Sequence, residues 1–126
     1  MASLDNIQEA VDVLQQLGLK EYEAQCFVGL SQVPSGTAKK LSEMTDVPRT
    51  RVYDAVRVLE SKGLVEIQHS SPQRFRAVSL SEATETLRDQ YDARVDRLHS
   101  ALDSIQMDTD DGDDESSIQE VWSMTG

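Results

Sequence analysis

The stretch "VPRTRVYDAVRVLESKGLV", residues 47–65, decides how this chain folds. Val52, Ala55, Val56 and Leu59 stand at i, i+3, i+4 and i+7, the apolar stripe of a helix seated on a core. Pro48 suits the first position of that helix, because its missing N–H would have no intrahelical partner there. Lys62-Gly63 supplies the stop, since glycine enters the left-handed region at a helix end without steric cost. At roughly 100° per residue, Thr50, Tyr53, Asp54 and Arg57 fall opposite the stripe, with Arg49 and Arg51 near its N-terminal edge. So many cations on one helix need a reason, because the 126-residue chain has a formal net charge of -11.

Working outward, charge separates along the chain. Residues 36–76 hold eight Lys or Arg against five Asp or Glu, a net +3, whereas the remainder holds four against 18, a net -14. A basic island therefore lies between acidic flanks. Upstream, Thr37 is placed to cap a short helix, "AKKLSEMT", with Ala38, Leu41 and Met44 inward and Lys39 and Lys40 outward. A helix over 20–32 turns Tyr22, Cys26, Phe27 and Leu30 to the core, and "VPSG" at 33–36 breaks it. Before it, Leu4, Ile7, Val11 and Leu14 mark an amphipathic helix that Gly18 ends. Downstream, Leu64–Gln68 and Arg74–Val78 read as two strands around the turn-rich "HSSPQ", with Arg74 and Arg76 sharing one face by the period of two.

Ser81 then caps a long helix whose apolar positions Leu87, Tyr91, Val95, Leu98, Leu102 and Ile105 recur every three or four residues, a narrow stripe suited to pairing with a second helix. The domains expected are therefore 1–80, a helix-turn-helix with a hairpin, 81–106, a dimerising coiled-coil helix, and 107–126, an acidic linker and tail. That tail holds "MDTDDGDDESS", of disordered composition, then "IQEVWSMTG", strand-like, with Trp122 as a docking candidate. The fold class is mainly α with a small β-hairpin, in the element order of a winged helix-turn-helix.

That order gives the cations a use. DNA recognition takes cations to meet phosphates and short polar or guanidinium groups at a helix N-terminus to reach base edges in the major groove. Arg49, Thr50 and Tyr53 are the candidates for base contacts, and Arg51, Arg57, Lys39 and Lys40 for phosphate contacts. Arg74 and Arg76, with His69, Ser70 and Gln73 at the hairpin tip, are placed for the adjacent minor groove. The expected partners are double-stranded DNA and a second copy of the chain. The alternative is a winged helix that binds proteins without sequence-specific DNA binding, its basic face incidental.

"LGLKEYEAQCFVGL", "SGTAKKLSEMTDVPRTRVYDAVRVLESKGLVEI" and "PQRFRAVSLSEATETL" together resemble the N-terminal winged-helix domain of TrmB-like archaeal transcriptional regulators, over residues 10–105. The resemblance implies sequence-specific DNA binding as a dimer, with Arg49, Thr50, Arg51 and Tyr53 in the groove and the helix 82–105 in a coiled coil with its mate. Lys20 stands where the family often carries Thr or Ser. Longer members continue into a sugar-binding effector domain whose first strand "EVWSMTG" resembles, so no small-molecule effector is assignable. The acid-rich, lysine-poor surface is similar to that of proteins from salt-loving archaea. In molar salt the Debye length is about 3 Å, so distant acids hardly repel DNA.

Other chemistries find little footing. From Asp108 an EF-hand register puts Gly112 fifth and Asp113 sixth, which breaks the ligand pattern. His69 and His99 lack partners at zinc-ligand spacing. No phosphate loop, nucleophile elbow or catalytic carboxylate pair occurs, so neither catalysis, a metal nor a cofactor is expected. Cys26, the single cysteine, cannot form an internal disulfide and sits in an apolar pattern, which points to an inert buried thiol and a reducing, cytoplasmic setting. The N-terminus has no signal-peptide pattern, and no run approaches the roughly 18 apolar residues of a membrane span.

Overall fold

A computed structural model describes residues 3–109. The expectations for the acidic linker, the strand-like segment and Trp122 lie outside the described residues, apart from 107–109, which continue the last helix. Seven elements follow one another: α1 (Leu4–Gln16), α2 (Glu21–Leu30), α3 (Ala38–Met44), α4 (Arg49–Ser61), β1 (Val65–Gln68), β2 (Arg74–Ala77) and α5 (Leu80–Thr109). The chain divides into two compact units, one reaching to Asp89 and one from Gln90 onward.

In the first unit α2 packs against α1, α3 and α4, while α4 also carries α3 and β1. The stripe that decides this arrangement is buried throughout: Val52, Ala55, Val56 and Leu59 are at most 5% exposed. Leu30, Leu41, Leu64 and Phe75 fill the space around it. Burying an aliphatic or aromatic side chain of this size contributes about 1.5–3 kcal/mol against leaving it in water.

Two glycines end helices by the same device. Gly63 has φ +78°, its N–H donates to Glu60 O at 2.9 Å, and Leu64 N–H donates to Leu59 O at 2.9 Å. Gly18, with φ 109°, repeats this at α1, where its own N–H reaches Gln15 O and Leu19 N–H reaches Leu14 O, both at 3.0 Å. Each motif satisfies carbonyls that a bare helix end leaves open, and each turns a leucine into the core. The Lys62 ammonium joins the two ends, donating to Gly18 O at 3.4 Å and lying 3.7 Å from the buried Glu23 carboxylate. Glu23 also accepts from the Lys20 N–H at 3.1 Å. Half of a capping box thus survives although Lys20 offers no side-chain acceptor.

Several expectations are revised. Tyr22 and Met44 are 41% and 39% exposed rather than inward; Ala24 and Val28 take the core positions on α2. Leu4 is 83% exposed, because α1 meets its neighbours through Val11 and Leu14, farther along the helix. Pro48 is the residue before α4 rather than its first helical residue, and its carbonyl accepts from Arg51 and Val52 N–H at 2.8 and 3.1 Å. α2 stops at Leu30, two residues short of the predicted end. The cap of α5 is Ser79, not Ser81: Ser79 Oγ accepts from Glu82 N–H at 3.1 Å. Leu87 also departs from its assignment to a dimer stripe, being 6% exposed within the core of the first unit. Thr37 caps α3 as expected, accepting from Lys40 N–H at 3.2 Å.

β1 and β2 pair antiparallel, with Val65 opposite Ala77, Glu66 opposite Arg76, Ile67 opposite Phe75 and Gln68 opposite Arg74. Gly36, in the loop before α3, adds a further bridge, exchanging both backbone hydrogen bonds with Phe75 at 2.9 and 2.8 Å. Phe75 is 1% exposed, and Phe75→Ala is expected to cost about 3–5 kcal/mol in urea unfolding. Cys26 is fully buried; burial, and secondarily the Glu23 carboxylate, push its thiol up to about 12 from the ordinary 9.0. The folded protein should therefore resist thiol reagents at neutral pH and react once unfolded in urea. Because the folded thiol ionises later than the unfolded one, its contribution to stability is full below pH 9.0 and lost as pH rises toward 12. Unfolding midpoints of the parent and Cys26→Ala over that range should converge on no common slope, the variant falling less.

Candidate nucleic-acid interface

The buried stripe fixes what α4 shows to solvent. Arg49, Thr50, Arg51, Asp54 and Arg57 are all exposed. Counting about 100° per residue, Thr50, Asp54 and Arg57 lie most nearly opposite the core. Arg49 and Tyr53 lie along one edge of this face, and Arg51 along the other.

The two edges meet different neighbours. Tyr53 is half-buried, with its ring edge-on to Phe75 at a centroid distance of 6.3 Å and an interplanar angle of 82°. Such T-shaped pairs are worth about 0.5–1.5 kcal/mol beyond the area they bury. Tyr53, a predicted base-contact residue, is thus first a strut between α4 and the hairpin. The Arg51 edge opens on a cleft of about 360 Å³ shared with Lys20, Tyr22 and Val58. The carboxylates of Glu21, Glu23 and Asp54 border the same cleft, so it is no pocket for an anion.

Among the described residues, the guanidinium groups of Arg49, Arg51 and Arg57 and the ammonium groups of Lys39 and Lys40 make no side-chain hydrogen bond or ion pair. Lys39 and Lys40 are exposed in the first turn of α3. These five cations keep their full hydrogen-bonding capacity. The hairpin arginines do not. Arg74 donates through Nε and Nη2 to Ser35 Oγ at 3.1 and 2.9 Å. Arg76 Nη2 meets Glu66 Oε2 at 2.8 Å, with the two side chains 61% and 58% exposed. At the tip, Gln73 Nε2 lies 3.2 Å from His69 Nδ1 and Ser70 Oγ donates to Pro72 O at 2.8 Å.

Sequence reasoning thus located the cations and their faces but not the partners of the hairpin pair. Glu66 was within reach of it: once Gln68 and Arg74 close the hairpin, Glu66 falls opposite Arg76. Ser35 was not, since it stands 39 positions from Arg74 in the chain and is brought to it beside the Gly36–Phe75 bridge. In the last helix Tyr91, Val95, Leu98, Leu102 and Ile105 are each 48–58% exposed, an apolar row continuing to near the helix end.

Comparison with known proteins agrees with this architecture. Residues 14–81 match the family model "Sugar-specific transcriptional regulator TrmB". The chain is similar to the HTH-type sugar sensing transcriptional regulator TrmBL1 of Pyrococcus furiosus, 26% identical over 119 residues, covering 94% of this chain and 34% of that protein. It is also similar to the solved structure of TrmBL2, described as an archaeal chromatin protein with a novel mode of DNA binding. There the TM-score is 0.74 at 27% identity, covering 81% of this chain and 41% of that one. The ST1889 protein of Sulfolobus tokodaii shares the fold at 14% identity, with a TM-score of 0.61 over 76% of this chain and 97% of its own. The chain spans about a third of the length of TrmBL1. With a helix-turn-helix, a two-stranded wing and a family match over most of that unit, this chain belongs to the TrmB family of transcriptional regulators.

Proposed function

We propose that this chain is a DNA-binding transcriptional regulator that occupies promoter DNA as a homodimer in the cytoplasm, by binding rather than catalysis. The observation that carries this reading is the outer face of α4. Arg49, Thr50 and Arg57 stand exposed, and the two guanidinium groups lack partners among the described residues. In a chain of net charge -11, unsatisfied cations gathered on one presented helix favour a polyanion there. Arg49 and Thr50, in the first turn, take the base-edge role, with Tyr53 holding the helix to the wing and reaching the groove only by its outer rim. Arg51, Arg57, Lys39 and Lys40 take phosphates, and Arg74 and Arg76 the flanking backbone or minor groove. Tyr91, Val95, Leu98, Leu102 and Ile105 form the dimer stripe. Leu87, committed to the core of the first unit, drops out of it.

Binding of fluorescent promoter fragments at matched salt tests the face. Arg49→Ala should weaken binding by about 1–3 kcal/mol and relax sequence preference, whereas Arg51→Ala should weaken all duplexes alike and lower the salt slope by about 1. If Arg49→Ala, Arg51→Ala and the double Arg74→Ala, Arg76→Ala variant all bind as the parent does, the basic face is incidental and the chain is an interaction module. The stripe is tested separately. Leu98→Asp with Leu102→Asp should sediment as a monomer, and an unchanged dimer would move the interface elsewhere.

A further inference from the structure

Resting on that reading, we infer that Glu66 is a built-in counter-ion that masks Arg76 and makes the two wing arginines unequal partners for a phosphate backbone. Both arginines point to the same face of β2 and both are exposed. Their restraints differ in charge. Arg74 is held by the neutral Ser35 hydroxyl and keeps its unit positive charge. Arg76 is held by a carboxylate directly across the ladder, at 2.8 Å, so the pair carries no net charge toward solvent.

The consequence for DNA follows from counterion release. A cation that neutralises a phosphate frees condensed counterions, and log K then falls with log[salt] by about 0.9 per contact on a duplex. A guanidinium paired with a carboxylate 2.8 Å away brings no net charge to that slope unless the pair opens. An approaching phosphate must either displace the Glu66 carboxylate or share Arg76 with it against direct repulsion. Glu66 is thus an affinity-tempering residue: it acts through Arg76, and its place opposite Arg76 in the register keeps it there.

The test is a salt series of anisotropy titrations with the full chain and a mixed-sequence duplex of about 30 base pairs, long enough for two half-sites. Glu66→Gln keeps the shape and removes the charge. It should tighten binding and steepen the salt slope by about 0.9, so that its advantage over the parent shrinks about eightfold per tenfold rise in salt. Arg74→Ala should flatten the parent slope by about 0.9, whereas the double Arg76→Ala, Glu66→Gln variant, which removes a pair of no net charge, should keep it. Arg76→Ala alone strands the Glu66 carboxylate beside the DNA and should weaken binding. Unaltered urea midpoints in these variants establish that the fold is intact, and Glu66→Thr, a good strand former, repeats the charge removal independently. A Glu66→Gln protein with parental slope, or a double Arg76→Ala, Glu66→Gln variant with a slope flattened by about 0.9, overturns the inference. Arg49→Ala in the same series separates the two failures: if it weakens binding while Glu66→Gln is silent, only the counter-ion role falls, and if both are silent the DNA face itself falls.

Discussion

The contacts of Phe75 hold the winged-helix unit in one shape. Its backbone exchanges two hydrogen bonds with Gly36, its register partner is Ile67, and its ring receives the edge of Tyr53. Through its backbone and its nearly inaccessible ring together, this one residue meets the loop before α3, both strands of the wing, and α4. A two-stranded hairpin alone is marginal in water. Here the added bridge and the aromatic contact turn it into a rigid extension of the helix-turn-helix, so the wing and the outer face of α4 are positioned by the same core.

This constraint explains how the basic island is divided. Of its eight cations, Lys62 is spent inside the fold, tying Gly18 O and Glu23 across two helix ends. Arg74 and Arg76 are restrained along β2. The five on α3 and α4 have no partners among the described residues. The acidic surplus lies outside this island, in α1, α2, α5 and the residues beyond. At high ionic strength, where the Debye length falls to about 3 Å, such distant acids matter little, whereas a carboxylate in direct contact with a cation keeps its effect.

Much of this was legible in the sequence because it rested on local rules. Val52, Ala55, Val56 and Leu59 repeat with the helical period, and Gly18 and Gly63 sit where helix ends need a left-handed residue, so α4 and both stops were placed correctly. The errors arose where local pattern and tertiary packing part company. Tyr22 and Met44 have the chemistry of core residues, but which apolar edge of a short helix turns inward depends on its neighbours; α2 uses Ala24 and Val28, whose small side chains allow close approach. Leu87 continues the periodic stripe of α5 without a break, and only the three-dimensional core shows that the stripe changes allegiance after it. Ser79 and Ser81 are chemically equivalent caps; α5 starts at Leu80, so Ser79 stands just before it and Ser81 falls within its first turn.

The outer face of α4 follows from the same logic. Its apolar stripe is wide enough to leave only the sector around Thr50, Asp54 and Arg57 fully outward, so Arg49 and Arg51 sit at opposite margins, Arg49 on the edge it shares with Tyr53 and Arg51 on the cleft beside α2. A helix presented this way carries a guanidinium at each side and a small hydroxyl between. Tyr53 cannot be removed from the wing-side margin without loosening Phe75, and so it couples the angle of α4 to the position of the wing. On the proposed DNA-binding reading, sequence preference depends on two things set by one contact: which bases Arg49 and Thr50 reach, and where along the duplex the wing arginines land.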